Sequence, residues 1–174
     1  MEHAVIFGET RSFAIRCAKN TLALPRELDN YCHWLLGDKL IGDPQEPCYL
    51  PIWLAALGNF KQFRLPQILS FKPTVTDDMV AAIFTIMQRD SEVEVEWPEE
   101  LENVWAKHRL GLDETQDAWL VMAHREGLGL RFTWMGWREP CPTDDIGKIF
   151  SCWASTSLVI ESINKCFRYY KVDF

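Results

Sequence analysis

The sequence predicts an α+β fold, with antiparallel β-hairpins forming a sheet and helices packed against it. Three observations carry this expectation. Short apolar runs end in tight-turn residues, most clearly residues 31–36 before Gly37-Asp38. Between them lie segments with apolar residues at helical spacing, opened by Thr, Ser or Pro. The chain has 174 residues, 48% hydrophobic and 25% charged, enough to bury the core of one domain spanning residues 1–174 and too apolar for a disordered chain.

Residues 5–7 and 13–17 read as strands, with a turn at Gly8-Glu9-Thr10. Residues 31–36 form a stronger strand with Cys32, Trp34 and Leu36 on one face. Gly37-Asp38 has the composition of a two-residue hairpin turn, and residues 39–42 return. A short helix follows, with Pro51 in its first turn and Trp53, Leu54, Leu57 and Phe60 along one side. Gly58-Asn59 is expected to end or weaken it, and residues 63–72 fit no period clearly. Thr76 is a helix cap, with Asp77 and Asp78 near the positive helix start and Met79, Val80, Ile83, Phe84 and Met87 as the apolar stripe.

Residues 92–97 alternate strictly, with Glu92, Glu94 and Glu96 on one face and Val93, Val95 and Trp97 on the other. That pattern describes a half-buried strand or an extended arm. Pro98 then opens a helix with Leu101, Val104, Trp105 and His108 in its stripe and Gly111 as its stop. Residues 117–123 and 128–137 flank a second hairpin turn at His124-Arg125-Glu126-Gly127. Residues 149–153 read as another strand, and Ser155 or Thr156 caps a last helix bearing Ile160, Ile163, Phe167 and Tyr170.

Charge is distributed very unevenly. Asp90, Glu92, Glu94, Glu96, Glu99, Glu100 and Glu102 fall within thirteen residues that contain no Lys or Arg, and the formal net charge of the whole chain is −7. The rest of the chain is therefore balanced. A patch of one sign attracts a basic partner and repels nucleic acid phosphates. Two explanations compete for it. Charged side chains on an edge strand prevent edge-to-edge pairing, and Glu suits the start of a helix. Alternatively, these carboxylates are an interaction surface, where a basic partner relieves their mutual repulsion and associates faster. On that reading the contact residues are Glu92, Glu94, Glu96, Glu99, Glu100 and Glu102. Trp97 and Trp105 are candidate anchors that fit a core stripe equally well.

Signatures of catalysis are missing from the sequence. It contains no phosphate-binding loop, no G-x-S-x-G elbow and no H-E-x-x-H. Gly127-Leu128-Gly129 belongs to a turn. His108 with Asp113, or His124 with Glu126, offers a local His–carboxylate pair, which leaves open a small enzyme built around one of these histidines. Asp77-Asp78 and Asp144-Asp145 each follow a Thr and read as helix caps. The six cysteines (17, 32, 48, 141, 152, 166) lack C-x-x-C spacing and read as buried thiols. No metal or cofactor is expected. The N-terminus has no secretory pattern and no apolar run is long enough to span a membrane, so a cytoplasmic protein is expected.

Phe13-Ala14-Ile15, followed by the run from Tyr31-Cys32-His33-Trp34 through Gly37-Asp38 to Ile41-Gly42-Asp43, resembles bacterial immunity proteins. More narrowly, it resembles the immunity protein 42 family of polymorphic-toxin and contact-dependent growth inhibition systems. The likeness covers about the first 45 residues and continues only as a shared order of elements. It implies a non-enzymatic inhibitor that binds the toxic C-terminal domain of a large secreted effector, with no catalytic residues to carry over. Many such toxins are basic nucleases, so a ribonuclease or other nuclease is the expected partner. A generic acidic adaptor for some other basic protein is the remaining alternative.

Overall fold

The computed structural model describes residues 4–19, 29–90, 96–111 and 114–172. The chain forms two antiparallel sheets with helices against them, an α+β fold. The first sheet runs β1 (Val5–Glu9), β2 (Phe13–Lys19), β3 (Asp29–Leu36), β4 (Lys39–Ile41), and β5 (Cys48–Tyr49) pairs with the start of β3. The first turn falls at Thr10-Arg11-Ser12, later than expected, because Glu9 already pairs with Phe13. The neighbouring hairpin holds it there: Asp38 N–H donates to the Thr10 carbonyl at 2.6 Å and Gly37 N–H to the Ser12 carbonyl at 3.3 Å. Gly37 and Asp38 both have positive φ, 55° and 65°, which a two-residue turn requires if it is to match the twist of its strands.

The second sheet runs β6 (Arg109–Leu110), β7 (Trp119–Glu126), β8 (Gly129–Gly136), β9 (Ile149–Ser155). Its central turn tightens to Gly127-Leu128, so His124 and Arg125 lie in β7 rather than in the turn.

The helices are α1 (Leu50–Asn59), α2 (Leu65–Ser70), α3 (Asp77–Asp90), α4 (Glu99–His108) and α5 (Thr156–Tyr170). Gly58-Asn59 does not end the first helix. A π-helical turn (Phe60–Arg64) carries it into α2. Gly58 is buried, so tertiary packing outweighs its helix penalty of about 1 kcal/mol. The wide turn lies just before Pro66, whose ring has no N–H to donate to an ordinary helical bond. Helix α4 ends before Gly111 because Arg109 and Leu110 pair with Met122 and Val121. Thr76 Oγ1 accepts from Met79 N–H at 3.3 Å, and Ser155 Oγ accepts from Leu158 N–H at 3.2 Å, so both caps form as expected.

Strand β7 is buried on both faces, which explains its continuous apolar run. Trp119, Val121 and Ala123 face the larger core between the sheets. There Phe13 stacks on Phe132 at 5.2 Å, and Trp34 meets Phe60 at 5.4 Å. Leu120 and Met122 face a smaller core, built with Met135, Val80, Ile83, Phe84 and Val104 from β8, α3 and α4. Five of the six cysteines are buried, with Cys152 intermediate.

Asp145 is not a helix cap. It lies in a single 3₁₀ turn (Thr143–Asp145), and its buried carboxylate receives Lys39 Nζ at 2.7 and 2.8 Å. That contact ties the β3–β4 hairpin to the loop before β9.

Candidate functional site

Helix α4 positions the described part of the acidic cluster. Pro98 occupies its N-cap, and Glu99, Glu100 and Glu102 all lie in the exposed first turn. The positive helix start stabilises three such carboxylates by roughly 0.3–1 kcal/mol each. None of them has an ion-pair or hydrogen-bond partner among the described residues. With Asn103 and Ala106 they line a shallow depression of about 600 Å³. Glu96 is exposed just before the helix, and Glu96 and Trp97 are in neither strand nor helix. Glu92 and Glu94, with the strand expected to carry them, lie outside the described residues.

The apolar side of α4 is what holds the acidic side outward. Val104 and His108 are buried, while Leu101, Trp105 and the preceding Trp97 pack half-buried against the smaller core. The two tryptophans are thus seated by core packing and keep part of each ring at the surface.

The histidines favoured for an enzyme reading do come together. His108 and His124 line one cavity of about 540 Å³, beside Lys72 and Arg125. His108 Nδ1–H donates to the Ala123 carbonyl at 2.8 Å, while Nε2 has no partner among the described residues. His124 Nδ1 is also unpartnered. Burial lowers the pKa of both rings and keeps them neutral. Among the described residues no Asp or Glu lines this cavity, and Glu126 turns instead to Arg131 at 3.1 Å. Asp113, the other expected partner, lies outside the described residues. No cluster of three or more His, Cys, Asp or Glu suited to a metal ion occurs among the described residues. No helix there is long and apolar enough to cross a membrane.

Sequence reasoning missed a cleft of about 530 Å³ between α1, α4 and the second sheet. Arg64, Arg109 and Arg138 reach it from separate segments, along with Trp105, Trp119 and Trp137. The Trp137-Arg138 pair was visible in the sequence, but its meeting with Arg64 and Arg109 is a product of tertiary structure.

No protein-family model matches the chain, and no curated protein matches its sequence. The fold is similar to the crystal structure of CdiI from Burkholderia dolosa AUO158, with a TM-score of 0.60 at 11% identity. The match covers 95% of this chain and 99% of that one. At this identity the likeness establishes a shared overall fold.

Proposed function

We propose that this chain is a cognate immunity protein of a contact-dependent growth inhibition system. It acts in the cytoplasm by stoichiometric binding to the toxic C-terminal domain of an effector, a basic nuclease and in first choice a ribonuclease. The observation that carries this reading is the row of exposed carboxylates at the start of α4, unpaired among the described residues, on a fold shared with a CdiI. The resemblance of residues 13–15 and 31–43 to the immunity protein 42 family points the same way.

A nuclease cleft must attract phosphate and therefore presents Lys and Arg. Glu96, Glu99, Glu100 and Glu102, extended by Glu92 and Glu94, would compete for those side chains. Long-range attraction then sets the association rate, while anchors such as Trp97 and Trp105 supply affinity. The inhibitor makes and breaks no covalent bond.

The role predicts a toxin gene beside the one for this chain, and co-expression with the toxic domain of such a neighbour tests it. Cells should survive that toxin and die from unrelated ones. Failure to rescue, with soluble chain present, would remove the immunity reading. The surface has its own test. Glu99→Gln, Glu100→Gln and Glu102→Gln together should slow association by about tenfold or more at low salt, with the difference fading at high salt. An unchanged rate would discard the steering role.

A further inference from the structure

The Arg- and Trp-lined cleft has the opposite electrostatic character to the acidic first turn of α4. Among the described residues, three guanidinium groups line it against one carboxylate, Asp117, on a chain of net charge −7. Internal contacts leave much of their donor capacity unused. Arg64 spends one Nη1 donor on the Ala106 carbonyl at 3.0 Å. Arg138 stacks on Trp137 at 4.5 Å and stands 4.0 Å from the Asp117 carboxylate. Arg109 is exposed, with no side-chain partner among the described residues. Trp34, only 1% exposed, also lines the cleft, and its Nε1–H has no hydrogen-bond partner among the described residues.

We propose that this cleft binds a short acidic segment of a partner protein, an Asp or Glu next to an aromatic residue. Planar guanidinium forks match a carboxylate through paired N–H donors. Half-exposed Trp105 and Trp137 offer faces for the adjacent ring, and Arg and Trp are the residue types that dominate binding energy at protein interfaces. A volume of about 530 Å³ suits a pair of side chains. Nucleic acid fits less well. Glu99 and Trp105 are on the same helix, about 9 Å apart along its axis at 1.5 Å per residue, so the acidic turn repels a polyanion that extends beyond the cleft. A folded partner can instead present cations to that turn and one acid to the cleft.

The inference rests on the toxin-binding reading only for the identity of the partner, and its test does not need the toxin. The full chain, labelled with ¹⁵N, is titrated with the peptide Ac-Phe-Glu-Asp-Phe-NH₂ while its indole N–H signals are followed. The signals of Trp105 and Trp137 should shift saturably, with a dissociation constant of about 1–10 mM, as expected for a fragment of an interface. The amide counterpart Ac-Phe-Gln-Asn-Phe-NH₂ should bind at least about tenfold more weakly, since bonds to charged groups are about twice as strong as neutral ones. Arg109→Gln and, separately, Arg138→Gln should weaken the acidic peptide by a similar factor while leaving distant resonances in place. Equal response to both peptides, no response up to about 10 mM, or tighter binding of AMP than of the peptide would overturn the proposal. Rescue from a toxin without peptide binding defeats this inference alone. Peptide binding without rescue defeats the immunity reading alone.

Discussion

The Lys39–Asp145 contact predicts an asymmetry between its two partners. Asp145's side chain is 9% exposed, whereas that of Lys39 is 39% exposed and its ammonium also lies 4.7 Å from the Phe150 ring centre. Replacing Lys39 by Met keeps the aliphatic stem and leaves a buried carboxylate without its counter-ion. Orphaning one member of a fully buried pair costs roughly 3–5 kcal/mol. Solvent reaches more than a third of Lys39, so screening reduces the expected cost to about 2 kcal/mol. Asp145→Asn is milder, because Oδ1 still accepts a hydrogen bond and the lysine can turn into water; about 1 kcal/mol is expected. With a urea m-value of about 2 kcal/mol/M, the midpoints should fall by about 1 M and about 0.5 M respectively. The double variant should be no worse than Lys39→Met, since no charge remains unpaired. Urea unfolding at pH 7 followed by tryptophan fluorescence checks this. If Lys39→Met proves no more damaging than Asp145→Asn, the carboxylate is not desolvated as described.

Three further outcomes are expected. Burial lowers the pKa of His33, His108 and His124, so the unfolded chain takes up protons before the folded one as pH falls. Stability is therefore full above about pH 6.5 and declines below it, by at most about 1.4 kcal/mol per pH unit per histidine until the folded rings titrate. Urea midpoints at pH 7.5 and 5.5 measure this, and His108→Gln should flatten the dependence. Gly42→Ala should destabilise by about 1–3 kcal/mol, because Gly42 has φ +121° and an added Cβ would stand 2.8 Å from His33 Cδ2. A thermal midpoint equal to the wild type would contradict the close approach. Burial pushes the thiols of Cys141 and Cys152 up to about 11 and about 12. A thiol reagent at pH 7.5 should therefore leave these two largely unmodified in the folded chain and reach all six cysteines in denaturant.

Local chemistry was readable; long-range chemistry was not. Gly37-Asp38 announces its hairpin because turn geometry depends on neighbouring residues alone. The caps at Thr76 and Ser155 are readable for the same reason. Gly58-Asn59 misled because burial and one wide turn override its usual punctuation. Asp145 looked like a cap because its partner is 106 positions away in the sequence. For the candidate surface, Glu99, Glu100 and Glu102 could be placed from Pro98 and helical spacing. No period in the sequence brings Arg64, Arg109 and Arg138 to one cleft, and none shows that the runs around β7 serve two cores.

The double burial of β7 separates two evolutionary tasks. Residues pointing one way pack into the larger core, while Leu120 and Met122, pointing the other, pack into the smaller core beneath α3 and α4. Outward substitutions on α4 therefore draw on a small, separate reserve of stability. Substitutions on the exposed side of that layer can therefore accumulate with little effect on the packing of the larger core.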